Sequence, residues 1–507
     1  MSSSKRAEKF AKPKVVCAFL PVDAPIKKTQ EINFEETLKP MIRKGCEDDV
    51  KELFGALTSA RQMVLWALDR DRTLVSSEEL QSRLVEYGRL LRGFIAPPGG
   101  QPEEAPKDDP PAEDEKEPPK EKKEEAKRAK TLRHVVAFVW RDLLDVKGRD
   151  WKASDVALEE ASMLLAAAQT VLSRAAREAV SDANAIQLHT NLRRVAGMLA
   201  RARTLVDDAD RAAAALDPPD EDDREVPEEV EEDKKKKKGS WWSSKKKKDK
   251  KNNTMDAAAR ASTDLRLALP EAWAQLSLAE AQHATVRRAC AQPHIEWSLI
   301  AALCVDQKER YGSNVDGHVK ALTKAAPEAA NVREWAGKRV ALAFLQSHVA
   351  MKTLYFEALV LYCQGAAALE LAVAETDENH CVTAIAHLAL AAAKHKEAQA
   401  AAERFVTTAR PITYVDSPVG PLAESYDLIR RALDRANQLN NAIFHRPPSA
   451  QVDPLPEPKT LISAMPYEDP GYSPLWTAKA WDAFDPEKLP DAEFGIASDS
   501  RECCTIS

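Results

Sequence analysis

Apolar residues in this chain recur mostly at three- and four-residue intervals, the spacing that lines them up on one face of a helix. The stretch Leu269–Tyr311, LPEAWAQLSLAEAQHATVRRACAQPHIEWSLIAALCVDQKERY, shows the pattern clearly. It reads as two helices broken near Pro293, the second carrying Ile295, Leu299, Ile300 and Leu303 as one stripe. Such a stripe must be buried against something. Either the protein's own core covers it, which periodicity alone favours, or part of it lines an open groove for a partner helix.

The same period predicts helices through most of the chain. Val15–Phe34, with β-branched residues and two prolines, reads as a short strand or hairpin. From Phe34 the pattern turns helical through Leu38, Met41, Ile42, Leu53, Leu57, Val64, Leu65 and Leu68, and a further helix is expected over Ser77–Phe94. Helices resume with LRHVVAFVWRDLLDV from Leu132 and continue, with breaks, to Leu216. Val332–Arg410 is predicted to be almost continuously helical, with Gly365 and the TDEN segment at 376–379 as turns, and Leu422–Ala442 is the last helix before an extended C-terminal region. The longest apolar segment, Ala358–Ala374, is interrupted by Gln364 and Glu370, which favours a buried helix over a membrane span. Leu276 and Leu278 are expected to face the core.

Two segments break the pattern. Residues 96–128 interleave paired prolines with Glu, Asp and Lys, and residues 217–253 run from DPPDEDDREVPEEVEED to KKKKKGSWWSSKKKKDKK. Neither can bury enough apolar surface to offset its ordering entropy, so both read as disordered insertions. Trp241 and Trp242, beside Lys245 and Lys246, change the second from a plain solvated loop into a candidate contact with an anionic membrane, ahead of RNA. Phosphorylation at Ser240, Ser243 or Ser244 would oppose that adsorption.

Composition supports a helical protein: hydrophobic residues make up 44% of the 507 residues but aromatics only 6%, with alanine carrying much of the apolar content. A net charge of -7 argues against a surface dedicated to nucleic acid. Eight cysteines without a CxxC pair indicate neither zinc nor a disulfide framework and fit a reducing, intracellular compartment. The charged N-terminus lacks a signal-peptide core. No HExxH, GxSxG, P-loop or Rossmann fingerprint is present, and the ten histidines are scattered, His387 and His395 reading as surface or packing residues, so catalysis is not expected.

The last four residues, Cys504-Thr505-Ile506-Ser507, form a CaaX box whose terminal serine favours a farnesyl group on Cys504, and Cys503 offers a second lipid site. One lipid chain binds membranes only marginally, so the lysine-rich loop would be the second signal.

Several short motifs, in this order, resemble the Bro domain family shared by Alix, Brox and yeast Bro-one. They are Lys27-Lys28-Thr29, Phe138-Val139-Trp140-Arg141-Asp142, Ala279-Glu280-Ala281-Gln282, Asn441-Ala442-Ile443-Phe444-His445-Arg446-Pro447 and Lys459-Thr460-Leu461. A CaaX box, with no coiled V-shaped region or long proline-rich tail after the domain, is the Brox-like layout. The resemblance implies an all-α, elongated, curved module of tetratricopeptide-like hairpins with a small N-terminal β element. It divides the chain into an extension (1–13), a Bro-like domain (14–480) holding both insertions, and a flexible tail (481–507). It further implies an adaptor, not an enzyme, that binds the C-terminal helix of an ESCRT-III subunit of the charged multivesicular body protein 4 type. Carried over residue by residue, the groove falls on Leu299 and Leu303 with Ile300 beside them, and on Val286, or Thr285 if the register slips by one. An aspartate that pairs with the partner helix falls on Asp182. The expected setting is the cytoplasmic face of endosomal or other intracellular membranes, with no small-molecule substrate and no cofactor beyond the covalent lipid. A general helical scaffold for another peptide, or an RNA-associated protein using the lysine loop, are the alternatives.

Overall fold

The computed structural model describes residues 27–68, 75–96, 132–141, 150–177, 185–216, 263–266, 269–292, 294–325, 332–409, 418–447 and 452–489. Both predicted insertions fall largely or wholly outside these residues, as do the 1–13 extension and residues 15–26 of the predicted strand or hairpin.

The fold is all-α, as the sequence pattern predicts. Helix α1 (Phe34–Leu38) is capped by Asn33, whose side chain accepts from the Glu35 and Glu36 amides. It leads to α2 (Glu47–Leu68) and α3 (Ser77–Arg92), the latter started by Ser76 Oγ accepting from the Glu79 amide at 3.0 Å. Then come α4 (Val156–Arg177), α5 (Ala185–Leu216), α6 (Thr263–Arg266) and α7 (Leu269–Cys290). Helix α8 (Trp297–Glu309) passes through a π-helical turn, Arg310–Val315, into α9 (Asp316–Ala325). The long pair α10 (Val332–Glu375) and α11 (Glu378–Ala409), then α12 (Val419–Leu439) and the short α13 (Ala478–Asp482), complete it.

The helices stack in chain order. α3 meets α4, α4 packs on α5, α5 on α7, α8 on α10, α10 on α11 and α11 on α12. One contiguous apolar core runs from Phe34 to Leu489. Alanines let the axes approach: Ala384, Ala391, Ala398 and Ala402 of α11 are all buried. Gly365 serves the same end. It lies inside α10 and not at the predicted turn, and a Cβ there would stand 2.7 Å from Leu388 Cγ of α11. The turn at TDEN is present, with Thr376 at φ 57° and Asp377 Oδ1 accepting from the Asn379 amide. Ala358–Ala374 lies within α10, and its first twelve residues, Ala358–Leu369, are all buried except the half-buried Gln364 and Ala367.

One segment differs in type from its prediction. Within the stretch expected to resume as helix, Phe138–Arg141 is strand β1, antiparallel to β2 (Asp150–Ala153), with Trp140 opposite Trp151. Phe138 and Trp140 are fully buried while Arg141 is exposed, an alternation that only a strand can satisfy with these side chains. The backbone of residues 28–30 lies along the other edge of β1, Arg141 N–H donating to Lys28 O at 2.8 Å and Gln30 N–H to Val139 O at 3.2 Å.

After α12 the chain turns back. Residues 452–477 have no regular structure and cross the whole array as a strap. Its backbone is held by α10 at Pro454 (from Gln364), by α7 and α8 at Lys459, by α5 at Ser463 and Met465, and by α3 at Pro470 and Ser473. It ends on the N-terminal helices: the Trp476 indole donates to Leu90 O at 2.7 Å, and Phe484 lies edge-on to Phe54 at 6.2 Å. The expected domain boundary at 480 is therefore corrected. Phe484 and Leu489 are buried, and the Asp485 amide donates to Met41 O, so the chain stays folded nine residues further, to Leu489.

A candidate partner-binding seam

The face predicted to receive a partner lies where α7 and α8 come together. Three of the four aliphatic positions assigned to an open groove are not open. Val286, Ile300 and Leu303 are 0%, 2% and 1% exposed and belong to the core. The stripe on α8 faces inward because α10 packs against it, so the protein's own core satisfies it. Leu299 is different: it is half-buried on the rim of that core, as are Ile295 before it and Leu278 and Ala289 on α7. Leu276 is buried, as expected, whereas Leu278 only borders the core. Thr285, the alternative position, is also half-buried, its hydroxyl donating to Ala281 O at 3.2 Å.

The strap crosses this seam. Lys459 N–H donates to Ala302 O on α8 at 3.1 Å, and Gln282 Nε2 on α7 donates to Lys459 O at 3.0 Å. Next to it, the Thr460 hydroxyl donates to Asp306 Oδ1, and Arg310 Nε holds the other carboxylate oxygen at 2.7 Å. Leu278 and Leu299 thus border a seam whose middle is closed by the chain itself.

A charged cluster lies buried beneath. Glu280 of α7 accepts from Tyr311 Oη at 2.5 Å and His348 Nε2 at 3.3 Å on one oxygen, and from Lys352 Nζ at 3.2 Å on the other. Lys352 also donates to His283 Nδ1 at 3.0 Å. Burial alone would raise the Glu280 carboxyl, but the Lys352 ammonium and the hydrogen bond from His348 outweigh it and hold it well below the usual range. Burial and then Lys352 push His283 down to about 4. That agrees with the geometry, since an ammonium only donates and Nδ1 must be a bare acceptor. Phe356, stacked on Tyr311 and edge-on to His283 at 4.9 Å, seals the cluster. This arrangement is a joint between α7, the π-helical turn and α10; it has no open side for a substrate.

The other family-like motifs are joints of the same kind. Lys27 Nζ pairs with Asp264 at 2.5 Å, both side chains fully buried. The Trp140 indole donates to Glu159 Oε2 at 2.6 Å, while Arg61 Nε and Tyr87 Oη share Glu159 Oε1. Asn440 closes the turn after α12, its amide giving to Arg446 O and taking from Arg446 N–H. Sequence reasoning missed Glu159, Asp264 and Lys352. Glu159 carried a readable signal, as one of two adjacent carboxylates inside the largely apolar run VALEEASMLLAAA, where a buried carboxylate must find a partner. His387 and His395 are both fully buried packing residues.

Asp182, Trp241, Trp242, Lys245, Lys246, Cys503 and Cys504 lie outside the described residues. Among the described residues no group of His, Cys, Asp and Glu is arranged to hold a metal ion, and Cys46, Cys363 and Cys381 are free thiols.

These observations define a class: an all-helical array with a two-stranded ribbon, stitched by buried ion pairs and closed by a C-terminal strap. Residues 242–484 match the family model of the BRO1-like domain, a span that takes in the seam and ends in the strap. That part of the chain is therefore similar to the BRO1-like domain, the family that the motifs resemble. A solved Bro1 domain, described as the "structure basis for endosomal targeting by the Bro1 domain", superposes with a TM-score of 0.53 at 13% identity, covering 92% of this chain and 98% of its own. At that identity the likeness establishes a shared fold. No curated protein matches the chain.

Proposed function

We propose that this protein is an ESCRT-associated adaptor in endosomal sorting or membrane remodelling, and not an enzyme. The observation that carries this reading is the BRO1-like match over 242–484, which contains both helices of the seam. Its partner would be the amphipathic C-terminal helix of an ESCRT-III subunit of the charged multivesicular body protein 4 type. Leu299, Ile295 and Leu278 are the aliphatic side chains on the rim of the seam with area left to bury. Each is worth up to roughly 1.5–3 kcal/mol when fully desolvated, so a few such anchors support an affinity of about micromolar order. The membrane half of the function rests on a prenyl group at Cys504, a second lipid at Cys503, and the Trp241, Trp242, Lys245 and Lys246 loop against anionic lipid.

Binding of a synthetic ESCRT-III C-terminal helix to the Leu299→Asp protein tests the seam. Affinity is expected to fall about tenfold or more with helicity unchanged; undiminished binding by the folded variant would remove Leu299 from the site. For the anchor, Cys504→Ser is expected to shift the protein from the membrane to the soluble fraction of cells, and equal membrane association would exclude prenylation as the tether.

A further inference from the structure

We propose that Thr460 is a phosphorylation site and that a phosphate there releases the strap from the α7–α8 seam. Three observations converge on this residue. Accessibility comes first. From Val452 to Leu461 every strap residue is exposed except the half-buried Pro456, and there is no regular secondary structure, so a kinase meets ten residues of extended chain. Pro454, Pro456 and Pro458 hold this backbone extended and exclude a helix.

The second is the direction of the hydrogen bond. Thr460 Oγ1 is the donor and the Asp306 carboxylate the acceptor. Phosphoryl transfer from a nucleoside triphosphate breaks the Thr460 O–H bond, passes its proton to the kinase's base, forms the O–P bond and releases the nucleoside diphosphate. The product oxygen has no proton to donate, so the bond to Asp306 is lost chemically and not merely loosened.

The third is local charge. Asp306 is 6% exposed and balanced by Arg310, whose Nη2 also donates to Thr460 Oγ1 at 3.5 Å. A phosphate adds about two negative charges at the carboxylate. One guanidinium then faces two anions, and the one on the strap is free to leave. Ser463 makes the contrast: its oxygens face Arg193, with Nε donating to Ser463 O at 2.7 Å, so a phosphate there would find a cation and not a carboxylate.

Release of the strap exposes Gln282 and the Ala302 carbonyl between Leu278 and Leu299. Its effect on a partner helix rests on the reading in the previous section; release itself does not, and the two are measured separately. The full-length protein, isolated from cells treated with phosphatase inhibitors, is expected to carry phosphate on Thr460 by peptide mass spectrometry; its absence overturns the proposal. In full-length protein made with phosphothreonine at 460, exchange of the Lys459 amide is expected to be about tenfold faster or more, with helicity unchanged. Unchanged or slower exchange would mean that Arg310 keeps the phosphate docked, which also overturns it. Phosphoserine at 463 should leave that amide protected, and equal release from both sites would refute the role given to Asp306.

Discussion

Gly197 of α5 lies directly beneath the Met465 carbonyl of the strap, so close that a Cβ on the glycine would collide with that oxygen. In an exposed helix interior, replacing glycine by alanine stabilises by about 1 kcal/mol. Here the sign reverses, because the obstacle is backbone. Gly197→Ala is expected to destabilise by about 1–3 kcal/mol and to speed proteolysis of the strap, read from urea midpoints and limited digestion. A stabilised variant would show that the strap does not dock at Met465.

The Glu280 cluster makes a second prediction about stability. Lys352→Met keeps the length of the side chain but leaves a fully buried carboxylate without its cation. Breaking one side of such a pair costs about 3–5 kcal/mol. Thermal unfolding should report that loss, and the double variant Lys352→Met with Glu280→Gln should recover part of it.

His283 sets a pH dependence. Its folded pKa is depressed to about 4 from 6.5, so between those values the unfolded chain binds a proton that the folded one refuses. Stability contributed by the neutral imidazole is complete above pH 6.5 and is lost progressively as the pH falls towards 4. The loss reaches on the order of 3 kcal/mol. His283→Gln should flatten this part of the curve, measured by denaturant unfolding from pH 7 to 4.

Leu299 and Leu303 sit one turn apart on α8, yet aspartate should act differently at each. Leu303→Asp places a charge in the core and is expected to unfold the protein or lower its melting temperature by more than about 10 °C. Leu299→Asp on the rim should change melting by a few degrees at most, roughly. Circular dichroism melts separate the two, and similar losses would mean that Leu299 is also a core residue.

Long amphipathic helices were legible because their period is local. The break near Pro293, the helix from Ser77 and the long pair after Val332 all follow from spacing within a few turns. β1 was not, because VVAFVW reads as an apolar run of either type, and a strand is settled by pairing with residues 150–153. At the seam, the stripe told that Ile300 and Leu303 must be covered but not by what. The cover came from α10, and the strap residue closing the seam's middle, Thr460, meets Asp306 across 154 positions. Motifs such as Lys27-Lys28-Thr29 and Ala279-Glu280-Ala281-Gln282 were readable as a family signature because the joints they form depend on exact side-chain chemistry.

The strap also sets a schedule for synthesis. Leu90 waits for Trp476, 386 positions later, before its carbonyl is capped, and Phe54 waits for Phe484. At about 5–20 residues per second on the ribosome, the first helices stand with an uncovered apolar edge for roughly 20–80 s. During that interval the surfaces that Trp476 and Phe484 later cover face solvent.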